Sequence, residues 1–211
     1  MTALDDRTPS ASVRSPWRAD RSLAWWLLVG GMIGLLAAGT LMVEKIVLLG
    51  DPTYVPSCSI NPVLSCGSVM TTDQAEVFGF PNPLIGVATF PVVAATGAAI
   101  LAGATFARWY WLGLQAGVTF GIAFVAWLAF QSLYRIGALC PYCMVVWAVV
   151  IPTFISVTLR NLGSGAFGVR AASSRSTQTL IAWAAPAMLA TYATVLVLIG
   201  IRFWDYWSTL L

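Results

Sequence analysis

The sequence predicts an all-α integral membrane protein with five transmembrane helices, and three observations carry that reading. Of its 211 residues, 59% are apolar and only 9% are charged, and the mean hydropathy is +0.82. Soluble chains run nearer one quarter charged, and a soluble core of this size cannot hide so much hydrocarbon. Apolar runs of about 20 residues, the length needed to cross a bilayer, recur along the chain. The net charge of +3, with arginines dispersed along the chain, is too small to argue for a nucleic-acid partner.

The elements follow in order. Residues 1–22 are polar, carry Arg7, Arg14, Arg18 and Arg21 beside Asp5, Asp6 and Asp20, and contain Pro9 and Pro16 as helix breakers. They read as a flexible basic tail, leaving 23–211 as a single transmembrane domain. A cleaved signal peptide ending near Ala37, Ala38 and Gly39 is the competing reading, but the apolar run exceeds the usual length of about 7–15 residues. Spans are expected at 23–49, 83–104, 109–134, 141–159 and 178–203. Near the end of the first, Glu44 and Lys45 fall close to the interface at about 1.5 Å per residue, where they reach water. Adjacent helix positions do not face each other, so the two are not paired and neither is placed in the active site.

The loop from 50 to 82 holds Cys58 and Cys66 in "PSCSINPVLSCGSV". Thr71 with Gln74 makes a capping-box pattern that predicts a short helix through "TDQAEVF", and Asn82 before Pro83 reads as the N-cap of the second span. The fourth span opens on "CPYC": Pro141 suits the first helical position, which makes Cys140 the cap and puts Cys143 in the first turn. "GSGAFG" at 163–168 matches a dinucleotide fingerprint, but it follows a membrane helix and lacks an acidic residue about 20 positions on. It reads as a glycine-rich loop.

Basic residues stay on the cytoplasmic side of short flanking loops. With the N-terminus inside, the four tail arginines, Arg108, Arg160, Arg170 and Arg175 are cytoplasmic, eight of the eleven basic residues. The other face then holds the 50–82 loop and the 135–140 turn, and with them all four cysteines. Tryptophans at Trp25, Trp26, Trp109, Trp111, Trp183, Trp204 and Trp207 fall near the proposed membrane interfaces, as indoles prefer.

Extracytoplasmic thiols can oxidise and persist as disulfides. Cys140 and Cys143 sit where unpaired N–H groups and the helix dipole stabilise a thiolate, and residues three apart on a helix are near enough to bond. A disulfide closing so short a loop contributes little stability, so a structural staple is a poor account of it. Structural zinc usually takes two short knuckles, and the spacing of Cys58 and Cys66 is too wide for one; no metal is expected. Two pairs on one face point to a redox relay, in which a soluble dithiol reduces the Cys58/Cys66 pair and electrons pass to Cys140/Cys143. With no flavin or dinucleotide fold, the acceptor that remains is a lipid quinone. The rival from another class is a thiolate-based copper-binding or transport accessory protein.

The order "CSINPVLSC", "GSVMTTDQAEVFGFPNPLIG" and then "CPYC" opening a late span resembles the bacterial form of the vitamin K epoxide reductase family over about residues 40–160. The resemblance implies a four-helix bundle around a quinone (of the menaquinone, ubiquinone or vitamin K type), capped by the loop. It implies an enzyme of the bacterial cell membrane that supports disulfide bond formation by reoxidising a DsbA-like or thioredoxin-like extracytoplasmic partner. Residues 178–211 are too short and apolar to be that partner, so it is expected in trans. By position, Cys58 would meet the partner, Cys66 would exchange with Cys140, and Cys143 would lie next to the quinone. Thr72 and Asn82 match quinone-site positions, and Trp147 stands where relatives often carry tyrosine. Phe78 and Phe80 are expected as pocket walls, with membrane anchoring as their alternative. A DsbB-like oxidase shares the chemistry but places its close pair first, the reverse of the order here. The fifth span lies outside the implied bundle.

Overall fold

The structure, a computed structural model, describes residues 16–168 and 174–209. Its long helices are α1 (Pro16–Gly50), α3 (Pro83–Leu101), α4 (Arg108–Gln131), α5 (Pro141–Gly163) and α6 (Arg175–Arg202). Two short ones, α2 (Cys66–Met70) and α7 (Trp204–Ser208), a 3-10 turn at Asp73–Glu76 and a π-helical turn at Ser132–Ile136 complete them. Among the described residues, five segments are long and apolar enough to cross a membrane: Arg21–Gly50, Pro83–Leu101, Arg108–Ile136, Pro141–Gly163 and Ala184–Arg202. This is a multi-pass all-α membrane protein, the class that composition predicts.

One expectation fails at the start. Helix α1 begins at Pro16, inside the segment read as a flexible tail. Proline at a first helical position gives up only an N–H that has no partner there, so Pro16 opens the helix instead of breaking it. The expectations for residues 1–15, with Arg7 and Arg14, and for Arg170 lie outside the described residues.

Helix α1 packs along α3 and against α5, and α4 also packs against α5. The α1–α3 contact is backbone to backbone. A Cβ on Gly97 would lie 2.4 Å from the Leu28 nitrogen and 2.5 Å from the Ala24 carbonyl, and one on Gly31 would lie 2.6 Å from the Ala94 nitrogen. In lipid, where burial of apolar surface gives helices no reason to associate, such close van der Waals approach is what holds them.

Buried polar groups fasten the remaining helices. Asn161, fully buried in α5, donates to the Trp111 carbonyl at 3.2 Å and to Gln115 at 3.1 Å, and Gln115 donates to Thr158 at 2.9 Å. Arg160 lies 3.4 Å over the Trp111 ring. Pro152 inside α5 cannot donate to the Ala148 carbonyl, and an unsatisfied carbonyl is costly in hydrocarbon. The Tyr192 hydroxyl of α6 fills that vacancy, donating to Ala148 at 2.7 Å.

Apart from this bond, the spanning part of α6 contributes no buried residue to the protein. Its end does. Arg202 donates from Nε to the Leu133 carbonyl at 2.8 Å, and Phe203 is buried in a cluster with Val63, Leu133, Leu139 and Trp147. Gly137 closes the π-helical turn with φ +72°, and its N–H reaches the Ser132 carbonyl at 3.0 Å. The turn and its left-handed glycine steer the chain from α4 into the start of α5, where the cysteines lie.

Candidate active site

The loop between α1 and α3 folds back over the mouth of α5, and short-range bonds dictate how. The Asn61 side chain accepts from the N–H groups of Val63 at 3.0 Å and Leu64 at 2.7 Å, and Ile60 N–H reaches the Leu64 carbonyl at 2.8 Å. This tight turn brings Cys58 and Cys66 together, and they form a disulfide. Leu64 then pairs in parallel with Leu139: Leu139 N–H donates to the Val63 carbonyl at 2.7 Å and Ser65 N–H to the Leu139 carbonyl at 2.9 Å. That register sets Cys66, the first residue of α2, against Cys140, the cap of α5. Their sulfurs are 3.1 Å apart, and both residues are buried.

Cys140 and Cys143 are free thiols. Cys140 caps α5 as the spacing predicts, its sulfur accepting from the Cys143 N–H at 3.4 Å. The hydrogen bond from the Cys143 side chain, opposed by burial and helped by the Cys143 and Tyr142 N–H groups, holds the Cys140 thiol below the ordinary thiol range. A thiolate-prone sulfur in contact with one end of a disulfide is arranged for thiol–disulfide exchange.

The C-terminal end of α1 grips both arms of the loop. Glu44 accepts from the Tyr54 hydroxyl at 2.8 Å and the Ser57 hydroxyl at 2.5 Å, on the arm leading to Cys58. The bond to Glu44 raises the pKa of Tyr54, which keeps that hydroxyl a donor. Lys45 donates to the Met70 carbonyl at 2.7 Å and pairs with Glu76 at 2.8 Å, on the arm leaving Cys66. The two were expected to reach water at the interface. They are instead 7% and 6% exposed, because the folded loop covers them, although as adjacent residues they do serve different partners.

A cavity of about 490 Å³ opens beside the cysteines and runs between the helices toward Trp109 and Tyr110 at the far end of α4. Cys140, Cys143 and Trp147 of α5, Thr72 and Asn82 of the loop, and Lys45 of α1 all line it. Its wall is otherwise almost wholly apolar. Asn82 does not cap α3 with its side chain; it donates from Nδ2 to the Gln74 carbonyl at 2.7 Å, tying the 3-10 turn to the head of α3. Its Oδ1 is buried with no partner among the described residues. The capping box does not form either. Thr71 turns back to the Gly67 carbonyl at 3.0 Å, Thr72 to the Val69 carbonyl at 2.8 Å, and the element there is the 3-10 turn, to whose N–H groups its cap Thr72 makes no side-chain bond. Both threonines spend their hydroxyls on carbonyls at the end of α2.

Phe78 and Phe80 need a correction as pocket walls. Neither is among the cavity-lining residues; both are exposed, and Phe78 packs at 5.6 Å on Phe124 from the outside. They fit the alternative of apolar anchors. Cys58, expected to meet a partner, is only 5% exposed, so an incoming sulfur reaches it only after the loop shifts. Sequence reasoning passed over Lys45 as a cavity residue, yet Ala38, Leu41 and Lys45, which line the cavity together, follow helical spacing along one face.

The vitamin K epoxide reductase family model matches residues 25–158. The chain belongs to that family. No curated protein matches it. As a member of the vitamin K epoxide reductase family, the protein is a membrane thiol oxidoreductase. The matched stretch contains all four cysteines and every polar residue named at the cavity, and it ends before α6. The cavity fits an apolar ring of quinone size: its volume lies within the range of cofactor pockets, its lining is apolar with few polar groups, and the unpartnered Asn82 Oδ1 can accept from a hydroxyl of the reduced, quinol form. The sulfurs of Cys58, Cys66 and Cys140 lie within 4.8 Å of one another, but the disulfide takes two of the three as metal donors.

Proposed function

We propose that the protein oxidises an extracytoplasmic thioredoxin-fold partner of the DsbA type and delivers the electrons to a membrane quinone, so sustaining disulfide bond formation. The 3.1 Å contact between Cys66 and Cys140, at the wall of an apolar cavity that Cys143 shares, is the observation that carries this reading. In this scheme the loop shifts and a partner thiolate attacks the Cys58 end of the Cys58–Cys66 disulfide. The partner's second thiolate then attacks the partner sulfur bound to Cys58 and displaces Cys58, so the partner leaves with a disulfide and both loop cysteines are reduced. Cys66 then attacks Cys140 of an oxidised Cys140–Cys143 pair, forming a Cys66–Cys140 bond and freeing Cys143 as a thiolate. Attack by Cys58 on Cys66 restores the loop disulfide and leaves Cys140 and Cys143 as the dithiol, the state described above. Cys143 and Cys140 face the cavity in that state, Asn82 and Trp147 would hold the quinone ring there, and the apolar walls exclude water. A bound quinone supplies a sink for two electrons and two protons.

The distribution of arginines supports an N-terminus in the cytoplasm and cysteines on the outer face of a bacterial cell membrane. A compartment kept oxidising through quinone supports the direction of flow.

The test is quinone absorbance, followed in purified protein with a reduced thioredoxin-fold partner or with dithiothreitol. Cys143→Ala abolishes quinone reduction by either donor. Cys66→Ala stops turnover with the protein partner but leaves part of the turnover with dithiothreitol, which reaches the inner pair directly. Equal rates in all three forms would end the proposal.

A further inference from the structure

Lys45 presents a combination the relay does not use. Its side chain is buried, the residue lines the same cavity as Cys140, Cys143 and Asn82, and its ammonium spends one N–H on the Met70 carbonyl and one on Glu76. An ammonium has three N–H donors, so one remains for the cavity. Glu76 is 39% exposed on its side chain and so touches water at one end and Lys45 at the other. Glu44, the neighbouring carboxylate, is turned to Tyr54 and Ser57 and is not part of this path.

The proposed reaction creates a need for such a path. A partner's thiol protons are released to water outside, whereas the acceptor in the cavity must take up protons where the walls are apolar. We propose that Lys45 is the proton donor of the cavity and that Glu76 recharges it from outer water. This rests on the quinone reading above. With Cys140 as the thiolate, its proton already lost to water, oxidation breaks the Cys143 S–H bond, forms one S–S bond and releases two electrons to the quinone, which needs two protons to become the quinol. One is the Cys143 thiol proton. The other comes from Lys45, whose amine regains it from water through Glu76.

Two variants separate this role from simple anchoring of the loop. Lys45→Arg keeps a cation for Met70 and Glu76, but a guanidinium does not give up its proton. Glu76→Gln keeps the shape and an acceptor for the ammonium but relays no proton. Both are compared with wild type using a soluble short-chain quinone and dithiothreitol. Three further readouts are the rate of dithiol exchange without quinone, quinone binding by tryptophan quenching, and the thermal midpoint. The expected result is a fall of about a hundredfold in kcat, the usual scale for a general acid, with exchange, binding and midpoint unchanged. Wild-type kcat in both variants overturns the proposal, and so does a parallel fall of exchange and midpoint with kcat, the mark of an anchor. Wild-type protein that binds but does not reduce the quinone overturns the function reading and this one with it; active wild type with equally active variants overturns this one alone.

Discussion

Cys140 is reactive for local reasons that can be removed one at a time. Its thiol is lowered first by the Cys143 side chain and then by two backbone N–H groups, with burial acting the other way. A lowered pKa means that the thiolate survives as pH falls and is lost only below that depressed value. Taking away the Cys143 sulfur leaves burial less opposed, so the transition moves to higher pH. In a Cys58→Ala/Cys66→Ala background, the pH dependence of Cys140 alkylation by a small reagent should shift upward on adding Cys143→Ala; an unmoved or lowered profile contradicts the assignment. The cysteines were legible in the sequence because their chemistry is a matter of residue type and spacing: Pro141 after Cys140 announces a helix start, and a helix start announces a stabilised thiolate. Lys45 was not legible as a cavity residue, although its helical spacing from Ala38 and Leu41 was there to read. Counting along α1 places it at the interface, and only the returning loop, which no local pattern encodes, turns an interfacial lysine into a buried one. The same loop explains Thr71 and Thr72, whose hydroxyls find carbonyls of α2 before they can cap anything after it.

The helices themselves were readable from hydropathy, since each must satisfy its own backbone in lipid. Their pairing was not, because it depends on small residues whose value appears only when two backbones meet. Gly97 and Gly31 mark that meeting between α1 and α3. A methyl group on Gly97 would fall 2.4 Å from a backbone nitrogen, and neither backbone can yield as a side-chain tip can. Gly97→Ala therefore forces α1 and α3 apart, at a cost of about 1–3 kcal/mol by analogy with overpacked cores. The measurement is the thermal midpoint in detergent, expected to fall, with Gly113→Ala as the control because a Cβ there meets nothing within 4 Å. If both substitutions leave the midpoint alone, the close contact is not what holds these two helices. Pro152 teaches a related lesson: a proline in a span reads as a kink, and only the structure reveals that Tyr192 of α6 donates to the carbonyl it leaves open.

At the scale of the whole molecule, the redox centre is assembled from pieces far apart in the chain, and α6 is the piece that sequence reasoning left without a role. The family match ends at residue 158, so it takes in α1 to α5 and the cap with all four cysteines but none of α6. Yet the end of α6 reaches back to the segment that leads into Cys140. Arg202 bonds the Leu133 carbonyl, and Phe203 is buried against Val63 and Leu139, the residues whose backbones set Cys66 against Cys140. Loss of these contacts should loosen that register more than it weakens the bundle, because no residue of the spanning part of α6 is fully buried within the protein. Phe203→Ala removes a buried aromatic, a change that costs about 3–5 kcal/mol in a soluble core, and here the cost falls on the strap between Val63 and Leu139. In a Cys58→Ala/Cys143→Ala background, which leaves only Cys66 and Cys140, the expected outcome is slower formation of the Cys66–Cys140 bond on mild oxidation. Leu189→Ala, at an exposed position in the middle of α6, should leave the rate unchanged. Oxidation rates that fall equally in both would assign α6 a general stabilising role; a loss confined to Phe203→Ala, with membrane insertion intact, would identify the C-terminal end of α6 as the brace that keeps the two sulfurs in register.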